Sequence, residues 1–82
     1  MTANIRWIAD QLRAERAVAK LSRSELARRS GLSGATVERL ERSERTMRID
    51  QLLAICDGLE VKPASFLARA EERRDRRTDT SP

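Results

Sequence analysis

The sequence predicts an all-α fold of five short helices. Apolar residues recur at steps of three and four, sustained apolar–polar alternation is missing, and β-branched residues are few. Hydroxyls or a proline stand where helices should start, and a glycine stands where one should end.

The first helix is predicted over Ile5 to Ala19, with Ile5, Ile8, Leu12 and Ala19 on one inward face. Trp7 falls on the opposite face near Ala14 and Val18. It could cover a core edge, pack on the C-terminal helix or meet another subunit. Intramolecular cover is favoured, because aromatics usually find burial.

Ser22 stands three residues before Glu25, the capping-box arrangement, so a second helix should run from about Arg23 to Ser30 with Leu26 and Ala27 inward. Gly31 tolerates the left-handed conformation that closes helices. Ser33 then offers another N-cap, and a third helix follows from Gly34 to about Arg42 with Val37 and Leu40 inward. Ser43 to Arg48 reads as a polar loop. A fourth helix is expected over Ile49 to Gly58, burying Ile49, Leu52, Leu53 or Cys56, and Leu59. Pro63 suits the first turn of a fifth helix, with Phe66 in the core and Leu67 and Ala70 beside it. From Glu71 the run EERRDRRTDTSP is charged and ends in turn formers, so the helix should fray into a solvated tail. The reading is one domain over residues 1–70 and a charged helix end and tail over 71–82.

A chain of 82 residues has room for one small domain. Leu, Ile, Val and Phe together number 17, so the core is thin and a partner subunit would help it. No apolar run approaches the roughly 20 residues that cross a bilayer, and no signal-peptide stretch follows Met1. The expected location is the cytoplasm, without membrane association. Cys56 is the sole cysteine and cannot form an internal disulfide, in keeping with a reducing compartment. It is expected to pack as a small apolar residue, since Asp57 beside it argues against an activated thiol.

The chain has no His, no Tyr, one Trp and one Phe. Without His and with one Cys, neither a zinc site nor a His-activated nucleophile can be assembled. Stacking platforms for single-stranded nucleic acid need aromatics, and this chain has almost none. No catalytic residue, metal or cofactor is expected.

Seventeen Lys and Arg against thirteen Asp and Glu give a net charge of +4. The distribution is uneven. Residues 23–48 carry seven Arg against four Glu, whereas residues 49–68 carry Lys62 against Asp50, Asp57 and Glu60. This asymmetry fits a polyanion partner as well as it fits simple solubility.

Two short helices joined through Gly31 form a helix-turn-helix pattern, whose second helix in such units enters a DNA major groove. The residues LSRSELARRSGLSGATVERLERS resemble the phage repressor and Cro-type (XRE) helix-turn-helix family. Leu21-Ser22, Glu25-Leu26-Ala27, Gly31, Ser33, Thr36-Val37, Leu40-Glu41-Arg42 and Leu52-Leu53 all fall where that pattern puts such residues. The ending ICDGLEVKPASFL is similar to the family's fourth and fifth helices, and the resemblance spans roughly Ile8 to Leu67. The stretch ERSERTMRIDQL followed by GLEV looks like the small controller proteins of restriction–modification systems.

The resemblance implies a five-helix lambda-repressor-like bundle that binds double-stranded DNA as a homodimeric transcriptional regulator on a palindromic operator, with RNA polymerase as a further partner. It implies that Gly34, Ala35, Thr36, Glu38 and Arg39 face base edges, Arg39 foremost as a fork for guanine. A phosphate or a neighbouring Glu could take Arg39 instead, and Arg42 could take Glu38. Phosphate contacts are implied for Ser22, Arg23, Ser33, Arg42, Arg45 and Thr46. Arg16 and Glu41 occupy the places of a structural ion pair. The dimer surface is expected around Leu67 and Ala70 of the fifth helix, with Leu59 or Val61. The alternative is an antitoxin-type interaction module that sequesters a toxin and regulates its own operon. The polar tail from Glu71 offers no apolar toxin-binding extension and lowers that alternative.

The sequence departs from the family pattern in several places. Arg23 replaces a usual Gln, which exchanges a base-bridging amide for a cation aimed at phosphate. Lys20, Ser43 and Glu60 replace glycines, so each either strains a left-handed position or alters the local turn. Arg48 stands at the N-cap place of the fourth helix without a capping oxygen, so that helix could start elsewhere.

Overall fold

The computed structural model describes residues 5–79, with side chains to residue 76. Five helices follow in order: α1 Arg6–Ala19, α2 Arg23–Ser30, α3 Gly34–Glu41, α4 Ile49–Leu59 and α5 Pro63–Asp79. No strand occurs among the described residues, and none of these helices is long and apolar enough to cross a membrane.

The local signals explain the boundaries. Ser22 accepts the Glu25 amide at 3.1 Å and starts α2; Ser33 accepts the Thr36 amide at 3.1 Å and starts α3. Arg48 is extended before α4, and its amide donates to Gln51 Oε1 at 3.0 Å. Helix α4 therefore starts where the pattern puts it, capped by the glutamine three residues on rather than by an oxygen at the cap itself. α5 does not fray at Glu71 but continues as helix to Asp79. Its polar residues have partners on α1: Arg69 Nε meets Glu15 Oε2 at 2.5 Å, Arg73 Nε meets Gln11 Oε1 at 3.1 Å, and the Arg74 guanidinium lies 4.9 Å from the centre of the Trp7 ring. Trp7 thus packs on the C-terminal helix.

Leu12, Leu26, Val37, Leu40, Ile55, Cys56 and Phe66 form the centre of one core, to which all five helices contribute. α2 packs on α3 and α4, while α1 packs on α3 and α5. Gly58 sits where α4 crosses α2: a Cβ there would lie 3.2 Å from the Ser30 amide nitrogen and 3.3 Å from Leu26 Cδ1. The inward faces differ from expectation at two places. Ala19 is exposed at the end of α1. Ile49 is 71% exposed, because α4 turns Leu52, Ile55, Cys56 and Leu59 inward; of the alternatives Leu53 and Cys56, Cys56 is the buried one and Leu53 is half exposed. Leu59 and Ala70, expected at a subunit surface, are consumed by the chain's own core.

Four connections pass through the left-handed region, and only one uses glycine. Gly31 has φ 74°, while Lys20, Ser43 and Glu60 each have φ 59°. The turn geometry is kept and the strain is accepted. At Lys20, Gly31 and Glu60 the next residue's amide closes the turn onto Arg16, Ala27 and Cys56, and that residue (Leu21, Leu32 or Val61) packs on the core.

Two outcomes follow from these features. A left-handed non-glycine residue costs about 1–2 kcal/mol, partly offset by the greater unfolded-state entropy of glycine. Lys20→Gly and Ser43→Gly should each stabilise the domain by about 0.5–1 kcal/mol, read as a higher melting temperature. Burial pushes the Glu15 carboxyl up, but hydrogen bonds from Arg69 and Gln11 outweigh it and hold the group below its usual 4.5. Its contribution is therefore complete above that value and fades as pH falls through and below it. Melting temperature followed from about pH 6 to about pH 3 should drop less steeply for Glu15→Gln than for the parent protein.

Candidate nucleic-acid interface

Helix α3 has two sides of opposite character. Val37 is wholly buried and Leu40 nearly so, and together they seat the helix on the core. Gly34, Ala35 and Arg39 are exposed. Among the described residues, the Arg39 guanidinium has neither a hydrogen-bond nor an ion-pair partner, so its planar fork of donors is open. At Gly34 a Cβ would meet no atom within 4 Å, so the protein's own packing does not require glycine there. A backbone that something else could approach closely is the result.

The remaining residues expected to face bases are engaged locally. The Thr36 hydroxyl accepts from Ser33 Oγ at 2.8 Å, which ties it to its own helix cap. Glu38 lies 3.5 Å from Arg42, one turn on. Arg42 in turn reaches Glu44 at 4.0 Å, so this cation is shared between two carboxylates. Of the groups expected at phosphates, Arg45 and Thr46 are exposed on the loop after α3 and have no partner among the described residues. Ser22 and Ser33 spend oxygen lone pairs on caps, and Ser33 also gives its hydroxyl proton to Thr36. What remains for an anion at Ser33 is the backbone of the first α3 turn.

The end of α3 is fixed by charge. The Glu41 side chain is 1% exposed. Arg16 from α1 grips it with two bonds, Nε to Oε2 at 2.5 Å and Nη2 to Oε1 at 3.1 Å, and gives Nη1 to the Leu21 carbonyl at 3.0 Å. This is the geometry of a structural ion pair, and removing one partner of such a buried pair typically costs about 3–5 kcal/mol. Two further arginines join it. Arg23 from α2 donates Nε to Glu41 Oε1 at 3.0 Å, so this cation is directed partly inward rather than only at an external anion. Arg13 donates to the Glu41 backbone carbonyl and pairs with Asp10. Sequence reasoning missed Arg13, although its place one turn before Arg16 on α1 was a usable signal.

Elsewhere, Cys56 is buried, and burial followed by the nearby Glu15 charge pushes its thiol up to about 11. It behaves as a packing residue, not an activated thiol. No cluster of three or more His, Cys, Asp or Glu suited to a metal occurs among the described residues.

Comparisons with known proteins agree with this fold. The restriction–modification controller protein C.Esp1396I, in its wild-type form, superposes with a TM-score of 0.83 at 21% identity, covering 90% of this chain and 99% of that one. The clp gene regulator ClgR from C. glutamicum superposes with a TM-score of 0.78 at 26% identity, covering 87% of this chain and 94% of its own. No curated protein sequence matches. The family model described as a helix-turn-helix domain matches residues 7–68, most of the chain. The five-helix architecture and that match place the protein in one group: it belongs to the helix-turn-helix domain family.

Proposed function

We propose that the protein is a sequence-specific, double-stranded DNA-binding regulator of transcription that acts as a homodimer on a palindromic operator. The observation that carries this reading is the open side of α3. Arg39 is an unpartnered fork, Ala35 is an exposed methyl, and Gly34 is a glycine that the fold itself does not need. A guanidinium can donate two hydrogen bonds to guanine O6 and N7, and a methyl can touch a thymine methyl. Arg45 and Thr46 on the adjoining loop suit backbone phosphates, which set register. The relatives named above, a restriction–modification controller and a gene regulator, support a regulatory role.

One eight-residue helix spans few base pairs, so two protomers with half-sites about 34 Å apart, or a multiple of it, supply the specificity. Leu67 and Val61 keep partial exposure, and Ile49 and Leu53 stand more fully in solvent. These apolar groups are the candidates for the dimer surface. A dimer lying over a promoter blocks RNA polymerase, and one lying beside it recruits polymerase.

Selection of duplexes from a random library, followed by titration at several salt concentrations, tests the reading. A selected site should bind roughly 10³-fold or more tightly than bulk DNA, with log affinity falling linearly in log salt. Arg39→Ala should relax the preference at one or two base positions, at a cost of about 1–3 kcal/mol there, whereas Arg45→Ala should weaken all duplexes alike. An unchanged preference in Arg39→Ala would remove the base-reading role.

A further inference from the structure

We infer that Glu41 is a positioning residue for DNA contact. Through Arg23 Nε it fixes a guanidinium at the start of α2 whose terminal nitrogens stay open for a backbone phosphate. The inference rests on the DNA-binding reading above and adds a part to it.

Charge balance makes the case. A buried carboxylate needs one counter-cation, and Arg16 supplies it in full: two bonds to both oxygens, with a third nitrogen on the Leu21 carbonyl. Arg23 is surplus to that need. Its charge leaves the Glu41 cluster with a net +1, and the side chain is 47% exposed. Only Nε reaches Glu41. Nη1 and Nη2 have no partner among the described residues. A guanidinium anchored by Nε keeps its planar fork while losing less rotamer freedom when it meets an anion. Lysine carries its three donors on a single nitrogen, so an ammonium drawn to Glu41 has no separate planar fork to hold toward the phosphate.

The placement also couples two contacts. Glu41 is the last residue of α3, and Val37 and Leu40 set where that helix lies. Arg23 belongs to α2. The carboxylate therefore ties the position of the phosphate cation to the position of the base-facing helix. A shift of α3 would move the anchor, and a phosphate pulling on Arg23 would pull on the end of α3.

The test measures DNA affinity against salt for the full chain and its variants, with folding followed by circular dichroism. Arg23→Gln should weaken selected and random duplexes alike, by roughly tenfold, and reduce the salt slope by about one. Arg23→Lys should restore the slope but remain weaker than the parent, because the charge returns without the anchor. Glu41→Gln should weaken DNA binding more when Arg23 is present than in the Arg23→Gln background, because only in the first does loss of the Arg23 anchor add to loss of the Arg16 pair. An unaltered slope in Arg23→Gln, full affinity in Arg23→Lys, or equal losses from Glu41→Gln in both backgrounds would each overturn the inference. Where Glu41→Gln loses its helical signal, the two Arg23 variants decide alone. A parent protein that binds no duplex at any salt strikes the DNA-binding reading itself, which is a different result from a parent that binds normally beside an indifferent Arg23 variant.

Discussion

The Glu41 carboxylate is the constraint on which the rest of the structure depends. A charge almost fully removed from water is costly unless it is paired and hydrogen-bonded, and here three helices meet to satisfy it. Arg16 brings α1, Arg23 brings α2, and Glu41 itself ends α3. Hydrophobic contact alone would hold α3 only through Val37 and Leu40, an anchorage that resists lifting better than sliding. The ion pair adds directionality at the far end of the helix. That is what an eight-residue helix needs if its outer side is to be presented at a fixed angle.

The remainder of the molecule follows a division between structural and open cations. Arg16 and Arg69 each close on a mostly buried carboxylate, and Arg74 covers the Trp7 ring. Arg39 and Arg45 close on nothing within the described residues. These two open cations give α3 and the loop after it unpaired positive charge that the net charge of +4 does not convey. The thin core is compensated by polar fastening, most visibly where α5 extends along α1 through Arg69 and Arg73.

Much of this was legible in the residues. Hydroxyl caps at Ser22 and Ser33 and the glycine at Gly31 are local signals read over four or five positions, and they fixed α2 and α3 correctly. The left-handed turns at Lys20, Ser43 and Glu60 were legible only as a conflict between family pattern and residue type. The pattern prevailed because closing hydrogen bonds, joined at Lys20 and Glu60 by the packing of the following apolar residue, outweigh the strain. The phase of α4 was legible only up to a choice between Leu53 and Cys56 and differed at Ile49, since a run of apolar residues satisfies more than one helical face and only its neighbours choose among them. The length of α5 was underestimated for a related reason. Its charged end looks solvent-seeking in isolation, and its partners Gln11 and Glu15 lie more than 50 residues away. Within the site, Arg16 and Glu41 could be paired in advance from the family pattern. The Ser33–Thr36 bond and the Arg23–Glu41 contact depend on side-chain geometry that spacing does not encode.

The central claim is that the exposed side of α3 is where a duplex sits. Backbone amide shifts in the nuclear magnetic resonance spectrum, recorded as a selected duplex is added, address it most directly. The account predicts the largest changes from Gly34 to Arg39 and at Arg45 and Thr46, with the α1–α5 contact little disturbed. Changes concentrated on α1 and α5, with α3 unaffected, would contradict it.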